Sequence, residues 1–492
     1  MEFQLSNIDG EELTIAKIQE AMEAGKLTSR ELVMYYLYRI AKYDKAGPNI
    51  NAILEMNPDV IFLAESLDYE RKKKEKRGPL HGIPVLLKDN IETGDKMHTS
   101  AGMLALENHV SQKDAFLVKK LRDAGAIILG KTNMTELANG MSLKMWAGYS
   151  ARGGQTLNPY GPGEFFVGGS SSGSAAAVAA NFTVLSVGTE TDASILSPAI
   201  QNSVVGIKPT VGLISRSGII PFTYSQDTAG PIARTVEDAA LLLSVLSGKD
   251  ELDPATYRCE EDAVQDYTAF LDKSGLKGAR IGVFQQVSEE NFLPGEFDEK
   301  LFFNVIHILK KEGAEVIENI EIPSFHRKWS YEVPTYEIKH SLGNYLYQLP
   351  SQAPVHNDHE LIEFNNKLGD TALKYGQNML EYRESLPNTL SNSEYIMARL
   401  EDLYYSQNEG IDFALQTYNL DAILFPAYAG ATLSAKAGYP SIALPAGYME
   451  NGRPFGITFA GTAFTEGTLI KIAYAFEQAT RFRKPPSFIE KI

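Results

Sequence analysis

Apolar positions near the start of the chain recur with helical spacing. Ile15, Ile18 and Met22 share one face behind Thr14, whose hydroxyl can cap the first turn, and Gly25 supplies a stop. Thr28 followed by Glu31 has the form of a capping box, and Leu32, Tyr36 and Ile40 make the apolar side of a second helix. The period then changes. Residues 83–87 are a short apolar run of the kind buried on both faces of a sheet, with Pro84 near its start. Helical periodicity over residues 114–124 ends at Gly125 and passes directly into the strand-like AIIL of residues 126–129. The same order recurs at residues 174–181 and 183–187. Such alternation predicts an α/β fold, with a large mixed, mostly parallel β-sheet covered by helices on both faces.

Beyond Val236 a helix (EDAALLLSVLSG) closes the first block. Residues 250–420 are more polar and rich in Tyr, with a helical pattern at 297–311 and a strand-like run at 280–284. Strand signals return at 422–425 and 441–444. A last helix near 468–480 turns Leu469, Ile472, Ala473 and Phe476 inward. Neither an internal repeat nor a low-complexity linker interrupts the pattern. The expected organisation is one domain over residues 1–492, with a helical segment at 1–70, a catalytic core at 80–240 and a substrate-shaping region at 250–420.

Composition narrows the function classes. With 44% hydrophobic and 22% charged residues the chain is of ordinary globular type, and a net charge of −16 opposes phosphate backbones and anionic membranes. No nucleic-acid or membrane partner is therefore expected; oligomeric state is not legible. The basic run RKKKEKR at residues 71–77 reads as a solvated helix end or linker. The single cysteine, Cys259, excludes an internal disulfide, and its acidic surroundings (TYRCEED) raise rather than lower a thiol pKa. Without a basic start and apolar core at the N-terminus, or an apolar run long enough to span a bilayer, a cytoplasmic location is expected.

The chemistry concentrates in GGSSSGSAAAVAANFTVLSVGTETDAS, residues 168–194. Two serine turns flank a small-residue helix and an apolar run, and no histidine lies between His109 and His307 to serve as a local base. Lys88, at the end of the apolar run in LLKDN, is the candidate base, because desolvation disfavours its ammonium form. A plain ion pair with Asp89 competes with that reading, and Lys131 and Lys208 also sit beside apolar strands. Residues 169–173 match G-x-S-x-G, which would make Ser171 an elbow nucleophile, but the preceding NPYGPGEFF is too broken for the strand that an elbow requires. A phosphate cradle lacks the P-loop lysine. His356 and His359 form H-x-x-H without a third ligand, so no metal is expected.

The ordered set LHGIPVLLKDNI, AGAIILGKTNMTELA, GGSSSGSAAAVAA, GTETDASILSPA, NSVVGIKPTVGLISR, SQDTAGPIARTVEDAA and GYPSIALPAGYMENGRPFGITFAG closely resembles the amidase signature family. The resemblance implies that family's fold and a Ser–cis-Ser–Lys triad, with Lys88 as general base, Ser170 as bridging serine and Ser194 as nucleophile. It further implies an oxyanion hole from the backbone N–H groups of Thr191, Asp192, Ala193 and Ser194, and no cofactor. Ala138 and Asn139 are expected to contact substrate. The implied reaction is hydrolysis of linear carboxamides, small-molecule or C-terminal peptide amides, through an acyl-enzyme. The turn Glu190-Thr191-Asp192-Ala193 resembles the bacterial peptide-amidase branch, except for Ala193 where glycine is usual; Ser172 likewise replaces a glycine and adds a third hydroxyl near the relay. Two alternatives stay open: the glutaminase A subunit of a tRNA-dependent amidotransferase, and an amide-binding homologue with weakened turnover.

Overall fold

Local signals form the elements they predict. In the computed structural model, which describes residues 12–259, 266–287 and 297–488, the Thr14 hydroxyl caps helix Ile15–Glu23. Thr28 and Glu31 close both halves of a capping box on helix Ser29–Arg39. Helix Phe116–Asp123 ends before Gly125, which turns the chain at φ +82° into the next strand. Residues 1–11 of the predicted helical segment and residues 260–265 and 288–296 within the middle region lie outside the described residues.

The strands are, in chain order, β1 (Ile53–Met56), β2 (Pro84–Lys88), β3 (Ile127–Thr132), β4 (Tyr149–Ser150), β5 (Gly154–Gln155), β6 (Leu185–Glu190) and β7 (Val205–Lys208). They continue with β8 (Thr228–Ala233), β9 (Arg280–Val283), β10 (Glu315–Glu318), β11 (Ala422–Pro426), β12 (Ser441–Tyr448) and β13 (Pro454–Ala460). β4 and β5 form a separate ribbon, and the other strands make one 11-stranded mixed sheet in the order β1-β3-β2-β6-β8-β7-β12-β13-β11-β9-β10. Parallel pairing occupies two blocks, β3–β2–β6 and β11–β9–β10, where helical crossovers connect the strands. Antiparallel pairing runs through the centre from β6 to β11 and sets β1 on the edge.

Both faces of the sheet are covered. Along β12, Ile442 and Leu444 pack into the main core with Leu469 and Phe476, whereas Ala443 faces the other way, towards Ile195 and Ala199. Along β11, Leu424 joins the main core while Ile423 and Phe425 enter a separate cluster. Burying each such Leu or Ile contributes about 1.5–3 kcal/mol. A one-residue slip would exchange the two faces, so packing fixes the register. The middle region adds helices Glu332–Tyr347, Asp358–Leu368, Asn378–Glu384 and Ser393–Leu403. Ile338, Leu342, Leu361 and Leu380 from these helices pack on Met134, Leu137 and Met141, which roofs the carboxyl ends of β2 and β3. Among the described residues no helix is long and apolar enough to cross a membrane.

Candidate active site

The parallel strands β2, β3 and β6 end side by side, with Lys88 opposite Thr132 and Leu87 opposite Val187. Carboxyl ends of such strands are where open α/β sheets bind ligands. Lys88 is fully buried there. Its Nζ lies 2.7 Å from Ser170 Oγ and donates to the Thr189 carbonyl at 3.0 Å and the Thr189 hydroxyl at 2.9 Å. Asn90 Nδ2 donates to the same hydroxyl at 3.0 Å. Burial pushes the Lys88 ammonium down to about 7, against the carboxylates of Asp227 and Glu190, which favour the charged form.

The pair with Asp89 is not made. Successive side chains at a strand end point to opposite faces. Asp89 accepts from the Ser100 hydroxyl, from the Gly102 N–H at 3.0 Å and from Arg152 at 3.4 Å. Lys131 and Lys208 are equally buried, and burial lowers each to about 8. Lys131 donates to Thr99 at 2.8 Å and to the Ile91 carbonyl, Lys208 to the carbonyls of Ser434 at 3.2 Å and Tyr439 at 2.5 Å. Neither meets a hydroxyl on the cavity, so geometry rather than pKa separates Lys88 from them.

The serine turn sorts its hydroxyls by partner. The Gly169–Ser170 peptide is cis. Ser171 Oγ donates to the Thr189 carbonyl at 2.9 Å and accepts from its N–H at 3.2 Å, fully buried. Ser172 Oγ donates to the Gly168 carbonyl at 2.5 Å, which closes the turn and commits this hydroxyl away from the cavity. Ser171 is therefore no elbow nucleophile, and Ser170 alone of the three reaches the cavity. Helix Ser172–Ala179 then packs so tightly that a Cβ on Gly173 would stand 2.4 Å from the carbonyls of Ala52 and Asn133.

A backbone bond from Ser171 N–H to the Ser194 carbonyl at 3.1 Å sets the second turn against the first. The amides of residues 191–194 carry no hydrogen bond among the described residues. The next two, of Ile195 and Leu196, donate to Glu190 Oε2 at 2.6 and 3.0 Å. Gln226 Nε2 donates to the Thr191 carbonyl at 3.1 Å. Carbonyl and following N–H oppose each other across a trans peptide, so the Asp192 N–H turns away from Gln226. Thr191 Oγ1 donates to Asp227 at 2.6 Å, and Thr432 Oγ1 to Asp192 at 3.2 Å. Ala193 adopts φ +61°, the left-handed conformation that glycine takes more easily. Ser194 Oγ donates to the Asp192 carbonyl at a long 3.5 Å.

Ser170, Thr191, Asp192, Ala193 and Ser194 line one cavity of about 470 Å³, together with Ala138 and Asn139. That volume suits a small organic ligand. Lys88 reaches the cavity only through Ser170. Aromatic walls come from Phe166, Phe222, Trp329, Tyr331 and Tyr428. Gln226, Trp329, Arg383 and Thr432 also line the cavity and are not among the candidates expected from sequence. Gln226 carried a signal, since it stands inside the SQDTAGP motif, but the others come from regions without one. His356 and His359 stay outside the cavity, and among the described residues no group of three or more His, Cys, Asp or Glu could hold a metal ion.

A family model described as Amidase matches residues 31–437. The native peptide amidase from Stenotrophomonas maltophilia superposes with a TM-score of 0.91 at 43% identity, over 99% of this chain and 100% of that one. A probable amidase of Arabidopsis thaliana is 42% identical over 494 residues, covering 97% of this chain and 92% of the relative. The A subunit of the glutamyl-tRNA(Gln) amidotransferase of Prochlorococcus marinus is 32% identical over 504 residues, covering 96% and 98%.

Proposed function

The chain belongs to the amidase signature family, hydrolases of C–N amide bonds, and from that premise we propose that Lys88, Ser170 and Ser194 perform the hydrolysis. One observation carries the proposal. Two acceptors on Thr189 engage two N–H bonds of Lys88, so in the neutral amine the lone pair faces Ser170 Oγ at 2.7 Å. Ser170 passes its proton to Lys88 as it takes one from Ser194, and Ser194 Oγ attacks the amide carbonyl. The free amides of residues 191–194 receive the oxyanion, aided by the grip of Gln226 on the Thr191 carbonyl. The relay returns the proton to the departing nitrogen, which leaves as ammonia or amine. Water then attacks the acyl-enzyme and releases the acid and Ser194.

The cavity and the likeness to a peptide amidase support C-terminal peptide amides and small aryl or aliphatic amides as substrates. Trp329, Tyr331 and Arg383 in its wall support residues 250–420 as the substrate-shaping part of a single catalytic domain. The glutaminase reading has less behind it, since that relative is only 32% identical. A cytoplasmic location is part of the proposal and suits a lone thiol, Cys259, buried and unpaired. Ammonia release from an N-acyl amino-acid amide, with and without hydroxylamine, tests the chemistry. An acyl-enzyme partitions to the hydroxamate in wild type and forms none in Lys88→Ala. Acid alone, undiverted at any hydroxylamine concentration, would refute it, and L-glutamine run in parallel measures the competing reading.

A further inference from the structure

Helix Glu332–Tyr347 of the middle region turns Pro334, Thr335 and Ile338 to the catalytic cavity and Glu337 to the loop of residues 222–227. Glu337 is buried, with 1% exposed, and does not line the cavity. Its Oε2 accepts from the Tyr224 N–H at 2.9 Å, the Ser225 N–H at 3.0 Å and the Ser225 hydroxyl at 2.8 Å. Its Oε1 accepts from the hydroxyl of Tyr395, on helix Ser393–Leu403, at 2.9 Å. Ser341, one turn further along the helix, donates to the Phe222 carbonyl at 2.9 Å. Each of these partners of the carboxylate donates to it, as an acceptor-only group requires. A buried polar side chain so satisfied is fixed in place, and with it the loop.

The other end of the loop holds the oxyanion turn. Adjacent residues grip Thr191 twice: Gln226 donates to its carbonyl at 3.1 Å, and Asp227 accepts from its hydroxyl at 2.6 Å. The Asp227 carboxylate also accepts from the N–H groups of Phe222 at 2.7 Å and Thr223 at 2.8 Å, which closes the loop on itself. Helix, loop and turn are thus joined by an unbroken series of hydrogen bonds. We propose that Glu337 is a positioning residue, which holds the loop that sets the amides of residues 191–194. The inference rests on the hydrolysis proposed for this cavity and gives the middle region a second task beside contact with substrate. Oxyanion donors act only where they stand about 2.7–3.1 Å from the developing charge, so a displaced turn is felt in the transition state rather than in substrate binding.

Two variants separate reach from charge. Glu337→Asp keeps the carboxylate and withdraws it from the loop by one methylene. Glu337→Gln keeps the reach and a carbonyl acceptor for the loop, while its amide N–H group can donate to the Tyr395 hydroxyl oxygen. Steady-state kinetics are measured on N-acetylphenylalaninamide and on butanamide, which is too small to fill the cavity. Glu337→Asp should lower kcat by about tenfold to hundredfold on both amides, with KM within about twofold of wild type. Glu337→Gln should hold kcat within about fivefold of wild type. Ser225→Ala removes one donor of the loop and should lower kcat by about threefold at unchanged KM, which keeps the test in force if circular dichroism shows Glu337→Asp unfolded. A folded Glu337→Asp with wild-type kcat overturns the positioning role, as does wild-type kcat in Ser225→Ala. So does a loss confined to N-acetylphenylalaninamide and carried by KM, which assigns Glu337 to the substrate wall alone. Glu337→Gln as slow as Glu337→Asp also overturns it. These outcomes leave the hydrolysis standing, whereas no ammonia from either amide in wild type overturns both readings.

Discussion

Acidification through pH 7 protonates Lys88 and should extinguish activity without unfolding the protein. With Lys88 lowered to about 7, its neutral fraction at pH 5 is about one in a hundred of the enzyme, so kcat/KM should fall about hundredfold from its plateau with unit slope. Stability moves differently. The folded pKa of Lys88 lies below its unfolded value of 10.5, so the cost of burying its charge is complete below about 7 and is relieved as pH rises towards 10.5. Below pH 7 both states are protonated and this group adds no slope. Burial raises Asp238 to about 6, Glu477 to about 7 and Glu136 to about 8. Each is stabilising while protonated, so going from pH 8 to pH 5 strengthens the fold through them. Carboxyls held low, such as Asp253 beside Arg216, weaken the fold only as pH falls below their unfolded value of 3.8. Ammonia release from N-acetylphenylalaninamide, followed with circular dichroism at each pH, separates the two effects. A kcat/KM profile level from pH 8 to pH 5 with the fold intact would refute Lys88 as the base.

Three substitutions probe the parts around it. Ser170→Ala removes the bridging hydroxyl and should lower kcat by about 10²–10⁴-fold with little change in KM, measured by steady-state kinetics. Ser171→Ala removes the hydroxyl that spans the Thr189 N–H and carbonyl; denaturant unfolding should show a loss of about 1–3 kcal/mol, while hydroxamate formation persists. Ala193→Gly relieves a left-handed residue at φ +61°. Less the greater freedom of an unfolded glycine, the gain in denaturant unfolding should be up to about 1 kcal/mol.

Helix caps and strand runs were legible because their causes are local. Thr28 with Glu31, Gly125 and the apolar run of β2 each carry the residue type their conformation needs. Alternation of helix and strand indicated the parallel blocks, but not the antiparallel centre, where strands such as β12 and β13 read alike in either orientation. Lys88 and Asp89 are neighbours whose side chains part at the strand end, a separation that an adjacent charge pair conceals in one dimension. The crowded hydroxyls of residues 170–172 are alike in sequence and differ only by what tertiary contact puts beside each. Arg383 had no local signal at all. Its place in the cavity comes from helix packing that joins distant segments, and only the ordered motifs could bring Ser170, Ser194 and Lys88 together in advance.

Fluorophosphonate labelling tests the central chemistry most directly, with the modified residue mapped by peptide mass in wild type and in folded Lys88→Ala. A single adduct on Ser194 that is lost in Lys88→Ala is the predicted result. An adduct on another serine, or one on Ser194 that forms equally fast without Lys88, would contradict a nucleophile driven by lysine.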